Sequence, residues 1–233
     1  EAAGKDGMSS FQSLATAIAA QVGTGNIAGA ATALVLGGPG AIFWMWVSAF
    51  FGMATIFAEA SLAQKYKTTV DGAVTGGPAY YIRAAFKGGF GKFLSGFFAI
   101  TIILALGFMG NMVQSNSICA AFKVFNINPL IVGLVVAVIS FFIFRGGVKR
   151  IASVVEKVVP LMAAAYILIA LIFIIINIKG FVPMISSIFV GAFAPSAVYG
   201  GVAGVTIKAA IRYGVARGLF SNEAGMGSTP HAH

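Results

Sequence analysis

Acidic side chains are scarce in this 233-residue chain: six Asp and Glu stand against 15 Lys and Arg, and charged residues of both signs make up 9%. So little charge excludes an ordinary soluble domain, where about 25% is usual. Cysteine occurs once, at Cys119, which rules out an internal disulfide and any multi-cysteine metal site. Histidine occurs as His231 and His233, and together with Glu223 they lack the ligand number and spacing of a metal site. No grouping of Ser, His and Asp forms a nucleophile motif, so the chain does not read as an enzyme. A secretory signal shape is also missing: residues 1–10 are polar, and the first apolar run is too long for a signal core and has no evident cleavage site. No internal repeat and no low-complexity tail are visible.

Hydrocarbon takes the place of what is missing. The chain is 59% hydrophobic, with 21 Phe and 30 Gly, and its mean hydropathy is +0.95. This composition predicts an all-α, multi-pass membrane protein. Six apolar runs are long enough to be read as crossings, since a span needs roughly 20 residues. They cover residues 11–36, 42–63, 93–122, 129–145, 156–178 and 184–207 of a single transmembrane domain that takes in 1–233. With these crossings, thirteen of the 15 basic residues fall on one side of the membrane: Lys5, the connection after the second run, the loop after the fourth, and Lys208, Arg212 and Arg217. By the positive-inside rule that side is the cytoplasm and holds the N-terminus, in the cell membrane. The net charge of +9 therefore reads as topology and not as affinity for nucleic acid. Trp44 and Trp46 suit an aromatic belt. In the long connection, Gly76-Gly77-Pro78 precedes a short surface helix over 79–86. Both ends of the sequence read as cuts in a longer chain.

The first run interrupts its own helix. Gly23, Thr24, Gly25 and Asn26 set two glycines and two cap-forming side chains near mid-span, where helix propensity is poorest. Unwound backbone is tolerated in hydrocarbon only where it lines a protein-walled cavity, so the break predicts a site. The helix that restarts there would turn free amides and a positive dipole end toward a carboxylate. Carbonyls released from Ala19, Ala20, Gln21 and Val22 offer hard oxygen ligands for a small cation, and the Asn26 amide oxygen can complete the set. The alternative is close helix packing through Gly25 and Gly29, a GxxxG pair; Gln21 and Asn26 would then be idle in the bilayer.

The sixth run repeats the device. A half helix over 184–194 precedes Pro195, Ser196, Gly200, Gly201 and Gly204, and two interrupted spans in one chain point to a transporter site at the midplane. An ordinary proline kink is the competing explanation. In the third run, Asn111, Gln114 and Ser115 share a helical face, with Gly107 and Gly110 a turn before. They line the same cavity, with Gln114 accepting from an ammonium group, or else they make interhelical hydrogen bonds, which average only about 0.6 kcal/mol. Glu59 is the acid set well inside a span. Such a carboxylate costs about 2.5–3.5 kcal/mol by insertion scales, and a pairing or gate-stabilising role is favoured over a direct functional one. Glu156, beside Lys157, reads as a solvated pair.

Several longer strings, QVGTGNIAG, GGPGAIFWMWVSAFFGMATIFAEASLAQKY, GGPAYYI and RGLFSNEAGMGS, together resemble the alanine or glycine:cation symporter family. The resemblance spans nearly the whole chain. It implies Na+-coupled uptake of small neutral amino acids, chiefly alanine and glycine, with H+ as the alternative ion. It also implies a fold like that of the bacterial leucine transporter, with two inverted five-helix repeats whose first helices are broken. The first five runs would be one repeat and the sixth would open the second. Four helices of the second repeat and an additional N-terminal helix would then lie outside this chain, and His231 stands where the family leads one to expect an apolar residue. The string Val22-Gly23-Thr24-Gly25-Asn26 is also similar to one in the neurotransmitter:sodium symporters. Under this reading the substrate-binding set is Gly23, Thr24, Gly25, Asn26, Gln114, Ser196 and Gly200, and the Na+ set is Ala19, Val22 and Asn26. The rival functions are a channel or facilitator using the same breaks, an intramembrane enzyme built on Glu59 or the histidines, and a structural subunit. The sequence leaves the oligomeric state open.

Overall fold

The computed structural model of the protein describes residues 9–70, 73–194 and 206–232. The first span is broken, as the glycines require. Helix α1 covers Ser10–Gln21 and α2 covers Thr24–Gly37, and together they pass as one interrupted crossing. A capping box opens α1: the Ser9 hydroxyl accepts from the Gln12 amide at 3.2 Å, and Gln12 Oε1 accepts from the Ser9 amide at 3.1 Å.

Three further helices are long and apolar enough to cross a bilayer. They are α3 (Gly40–Lys65), the continuous stretch Gly88–Lys123, and α8 (Gly147–Ile176). The second of these consists of α5 (Gly88–Ile102), a π-helical stretch over Ile103–Gly110, and α6 (Asn111–Lys123). Two shorter apolar helices, α7 (Pro129–Phe144) and α9 (Ile178–Phe193), each have 16 residues. Large apolar side chains along these helices, Phe57, Phe97 and Leu168 among them, stay exposed, which suits a hydrocarbon solvent.

The connection after α3 holds more structure than a surface helix. Strands β1 (Thr68–Val70) and β2 (Ala73–Thr75) pair antiparallel, with Thr68 opposite Thr75. Among the described residues the regular structure is helical apart from this pair of strands, whose sequence signal is the Asp71-Gly72 dipeptide between them. Helix α4 (Pro78–Ala85) follows, with Pro78 in its first turn. Gly77 enters it at φ +102, a conformation that side-chain-bearing residues rarely adopt.

Helix α10 (Ile207–Asn222) is capped by Thr206, whose hydroxyl accepts from the Ala209 amide at 3.1 Å. It carries Lys208, Arg212 and Arg217 alongside α3, where the sequence places them in a polar segment beyond the last crossing. Gly37 faces Tyr213, Gly214 faces Ala41, Gly218 faces Ser48, and Gly52 faces Asn222. The expected break at Pro195, Ser196, Gly200, Gly201 and Gly204 lies outside the described residues.

Two compact units form, one from Glu1–Gly25, Ile56–Val159 and Gly225–His233, the other from Asn26–Thr55 and Pro160–Ala224. In the second unit, packing rests on small residues. Gly40 and Gly191 bring the starts of α3 and the end of α9 into backbone contact, and Ala33, Ala41, Ala192 and Ala210 have no exposed surface. Around that contact Phe43, Trp44, Phe189 and Phe193 meet edge to face at 5.3–5.9 Å. The Trp44 indole donates to the Ala192 carbonyl at 3.3 Å. Trp44 is thus committed to helix packing, while Trp46 remains 47% exposed as a belt residue would.

A Cβ on Gly40 would run into the Gly191 carbonyl, whereas one on Gly133 of α7 would meet nothing. Gly40→Ala should destabilise the protein by about 1–3 kcal/mol through overpacking, read as a fall in the melting temperature in detergent. Gly133→Ala should leave it unchanged or raise it slightly.

Candidate functional site

The break begins where α1 runs out of helical partners. Its last backbone bond joins the Val22 amide to the Ile18 carbonyl at 2.7 Å, and Val22 itself is extended, at φ −99 and ψ 107. The carbonyls of Ala19, Ala20, Gln21 and Val22 fall in the last turn, where the intrahelical ladder ends. The restarted helix offers its first-turn amides at Thr24, Gly25 and Asn26. The interruption covers residues 22–23, at the leading edge of the predicted segment.

Across from it stands α6. The Thr24 hydroxyl donates to Gln114 Oε1 at 2.6 Å, a short bond between residues 90 positions apart. A Cβ placed on Gly23 would lie 2.5 Å from Gln114 Nε2, so the absence of a side chain is what lets Gln114 reach the broken backbone. Gly29, by contrast, has only the Arg217 stem at 3.7 Å from such a Cβ. Close packing makes no demand for glycine there, and the glycine at position 23 serves the approach of a polar side chain.

Three other polar side chains of α6 bond locally. Asn111 Nδ2 donates to the Gly107 carbonyl at 2.9 Å, Ser115 Oγ to the Asn111 carbonyl at 2.8 Å, and Ser117 Oγ to the Val113 carbonyl at 2.9 Å. Of the face Asn111, Gln114 and Ser115, the structure brings Gln114 to the break. The π-helical stretch just before α6 widens the backbone ladder, a feature often found at functional sites, and Asn111 back-bonds into it. Asn26 sits in the first turn of α2, at the start of the other compact unit. Ser196 and Gly200, the residues expected from the sixth run, lie outside the described residues.

A second polar cluster was missed in the sequence. Gln21 Nε2 donates to Thr229 Oγ1 at 2.8 Å across 208 positions, and Thr229 is 1% exposed. Glu59 Oε2 accepts from the Gly225 amide at 3.4 Å, and the Gly227 amide is turned toward the same carboxylate. Glu59 thereby holds the C-terminal segment. Burial, and then the Glu59 charge, pushes the Tyr81 phenol above its usual range, so it stays protonated at neutral pH. His231 faces Gly77, and its Nδ1 lies 3.3 Å from the Ser228 carbonyl. Among the described residues no three His, Cys, Asp or Glu gather as metal ligands; His233 lies outside them.

Within the other unit, an open, mostly apolar depression of about 260 Å³ is walled by Ala30, Met45, Trp46, Ala49, Gly218 and Asn222. Asn222 Nδ2, and separately Ser48 Oγ on α3, are buried without a hydrogen-bond partner among the described residues.

Long apolar helices, one pair of them a broken span opposite a hydrogen-bonded polar side chain, define a multi-pass membrane protein. The sequence matches the model of the sodium:alanine symporter family over residues 1–233, and the chain belongs to that family. It is 50% identical over 228 residues to the sodium/alanine symporter AgcS of Methanococcus maripaludis, covering 97% of this chain and 49% of that protein. It is 48% identical over 226 residues to YrbD of Bacillus subtilis, whose name describes a sodium/proton-dependent alanine carrier, covering 97% of this chain and 45% of that protein. GlnT of Bacillus subtilis, named for sodium/glutamine symport, is 44% identical over 98% of this chain and 46% of its own length. The chain thus spans about half the length of the curated relatives it matches.

Thr24 and Gln114 should prove energetically coupled. In a double-mutant cycle of Thr24→Val and Gln114→Leu on thermal stability, the coupling should be about 0.5–1.5 kcal/mol. Strictly additive losses would show that the bond contributes nothing.

Proposed function

We propose that the full protein is a secondary active symporter that couples Na+ to the uptake of a small neutral amino acid such as alanine or glycine. The observation that carries this reading is the interrupted first span with Gln114 brought against Gly23 and Thr24. Family membership supports it.

In this mechanism the amides of Gly23, Thr24 and Gly25 hold the substrate carboxylate at the dipole end of α2. Such an end contributes up to about 2 kcal/mol when partly buried. The carbonyls of Ala19 and Val22, with the Asn26 amide oxygen, hold Na+. Asn26 joins cation to substrate, so neither binds well alone. Gln114 keeps a second lone pair on Oε1 beyond the Thr24 bond, and that lone pair accepts from the substrate ammonium. Ser196 and Gly200 line the pocket from the sixth run. The ion gradient drives accumulation, with the membrane potential adding about 2.3 kcal/mol per charge per 100 mV. YrbD's name makes H+ the alternative coupling ion.

The accompanying architecture is a leucine-transporter-like inverted repeat within one transmembrane domain. Helices α1 to α8 form the first repeat, and α9 opens the second. The N-terminus is cytoplasmic and the protein resides in the cell membrane. Alanine and glycine differ by one methyl group, which a pocket discriminates by only about 1–3 kcal/mol, so the proposed substrate is the small neutral class and not one member of it.

Asn26→Ala in the full-length protein should abolish Na+-dependent uptake of labelled alanine into proteoliposomes. Gly23→Ala, which displaces Gln114, should reduce it at least about tenfold, a loss of roughly 1.4 kcal/mol. Wild-type uptake by Asn26→Ala would refute the assigned role, and uptake indifferent to the sodium gradient would refute symport.

A further inference from the structure

The break is held from two sides, and only one of them is the proposed pocket. On the far side of the gap Thr24 is bonded to Gln114. On the near side Gln21, the final residue of α1, is bonded to Thr229. Between these two points lie Val22, whose amide makes the last bond of α1, and Gly23.

Thr229 belongs to a strap, residues 225–232, which is itself firmly seated. Its path needs left-handed backbone at Glu223 (φ 53), Gly225 (φ 82) and Gly227 (φ 74). Gly227 has no room for a side chain: a Cβ would come within 2.6 Å of the Phe98 ring and 2.8 Å of Pro78. Thr229, Pro230 and Pro78 are fully buried. The strap thereby presents the Gly225 amide to the Glu59 carboxylate, which accepts from it at 3.4 Å. Glu59 therefore has a purpose that accounts for its cost inside a span: it anchors the strap that anchors α1.

We propose that residues 225–232 act as a strap that positions the cation ligands of the broken helix, with Gln21, Thr229 and Glu59 as positioning residues. The proposal rests on the symport reading above. A helix end without its last hydrogen bonds swings freely, so the carbonyls of Ala19 and Val22 hold a fixed spacing only if the end is tied. The Gln21–Thr229 bond is that tie. Releasing it weakens cation binding without removing a ligand, and so moves the sodium requirement of uptake more than its maximal rate.

Two measurements on the full-length protein test this. One is the alkylation rate of a single thiol at the break, Val22→Cys in a Cys119→Ser background. The other, with Val22 and Cys119 intact, is the sodium concentration for half-maximal alanine uptake. Thr229→Val should speed alkylation several-fold and raise the half-saturating sodium about three- to tenfold, the effect of one lost hydrogen bond, with the maximal rate changed less than about twofold. Thr229→Ser, which keeps the hydroxyl, should restore both. Gln21→Leu removes the same bond from the other end and should reproduce the effect if Thr229→Val fails to fold. Glu59→Gln should shift both readouts in the same direction. Unchanged alkylation in Thr229→Val and Gln21→Leu, or faster alkylation with an unmoved sodium dependence, overturns the proposal. Absence of sodium-dependent uptake in the wild type sinks the symport reading instead, and the alkylation rates then decide by themselves whether the strap holds the helix end.

Discussion

In hydrocarbon, a peptide group that leaves its helix must find another partner, because no water is there to replace the lost bond. Everything specific about this chain follows from the decision to break α1 from α2 at residues 22–23 under that constraint. The break creates donors and acceptors that cannot be left bare. Two side-chain pairs flank them: the Thr24 hydroxyl with Gln114 from α6, and the Gln21 side chain with Thr229.

The two compact units solve their packing by different physics. In one, glycine and alanine let backbones approach, and aromatic rings fill the flanks: Gly40 against Gly191, Gly214 against Ala41, Trp44 between Phe43 and Phe193. Apolar attraction alone does not distinguish a neighbouring helix from lipid, so fit of this kind supplies the specificity. In the other, polar side chains tie distant segments together. Gln21 to Thr229, Glu59 to the strap and Ser95 to the Ala79 carbonyl at 3.0 Å all cross between elements. Rigidity is gained where the backbone has been opened.

Much of this was legible from residue order. Gly-Thr-Gly-Asn in an apolar run marks the break because these residues favour caps and turns over mid-helix positions. Gln114 stood out as a polar group in hydrocarbon. What misled was treating polar residues on one helical face as a group: Asn111 and Ser115 bond their own helix, an outlet that the shorter chains of Asn and Ser can reach locally and that spacing does not reveal. Spacing also gave no sign that the Trp44 N–H would find the Ala192 carbonyl. Lys208, Arg212 and Arg217 were placed beyond the last crossing with no element assigned, and small residues of the same stretch pack it along α3.

The sequence by itself determined the membrane class, the place of the break and the chemistry that the break must satisfy. Those depend on local composition and on the solvent, which are properties of each segment taken alone. Only the tertiary structure decided which groups Glu59 and Gln21 bond to, and which of several polar side chains reaches the gap. These are pairings across 166, 208 and 90 residues. A hydrogen bond is set by where two backbones come to lie, and no local pattern encodes that distance.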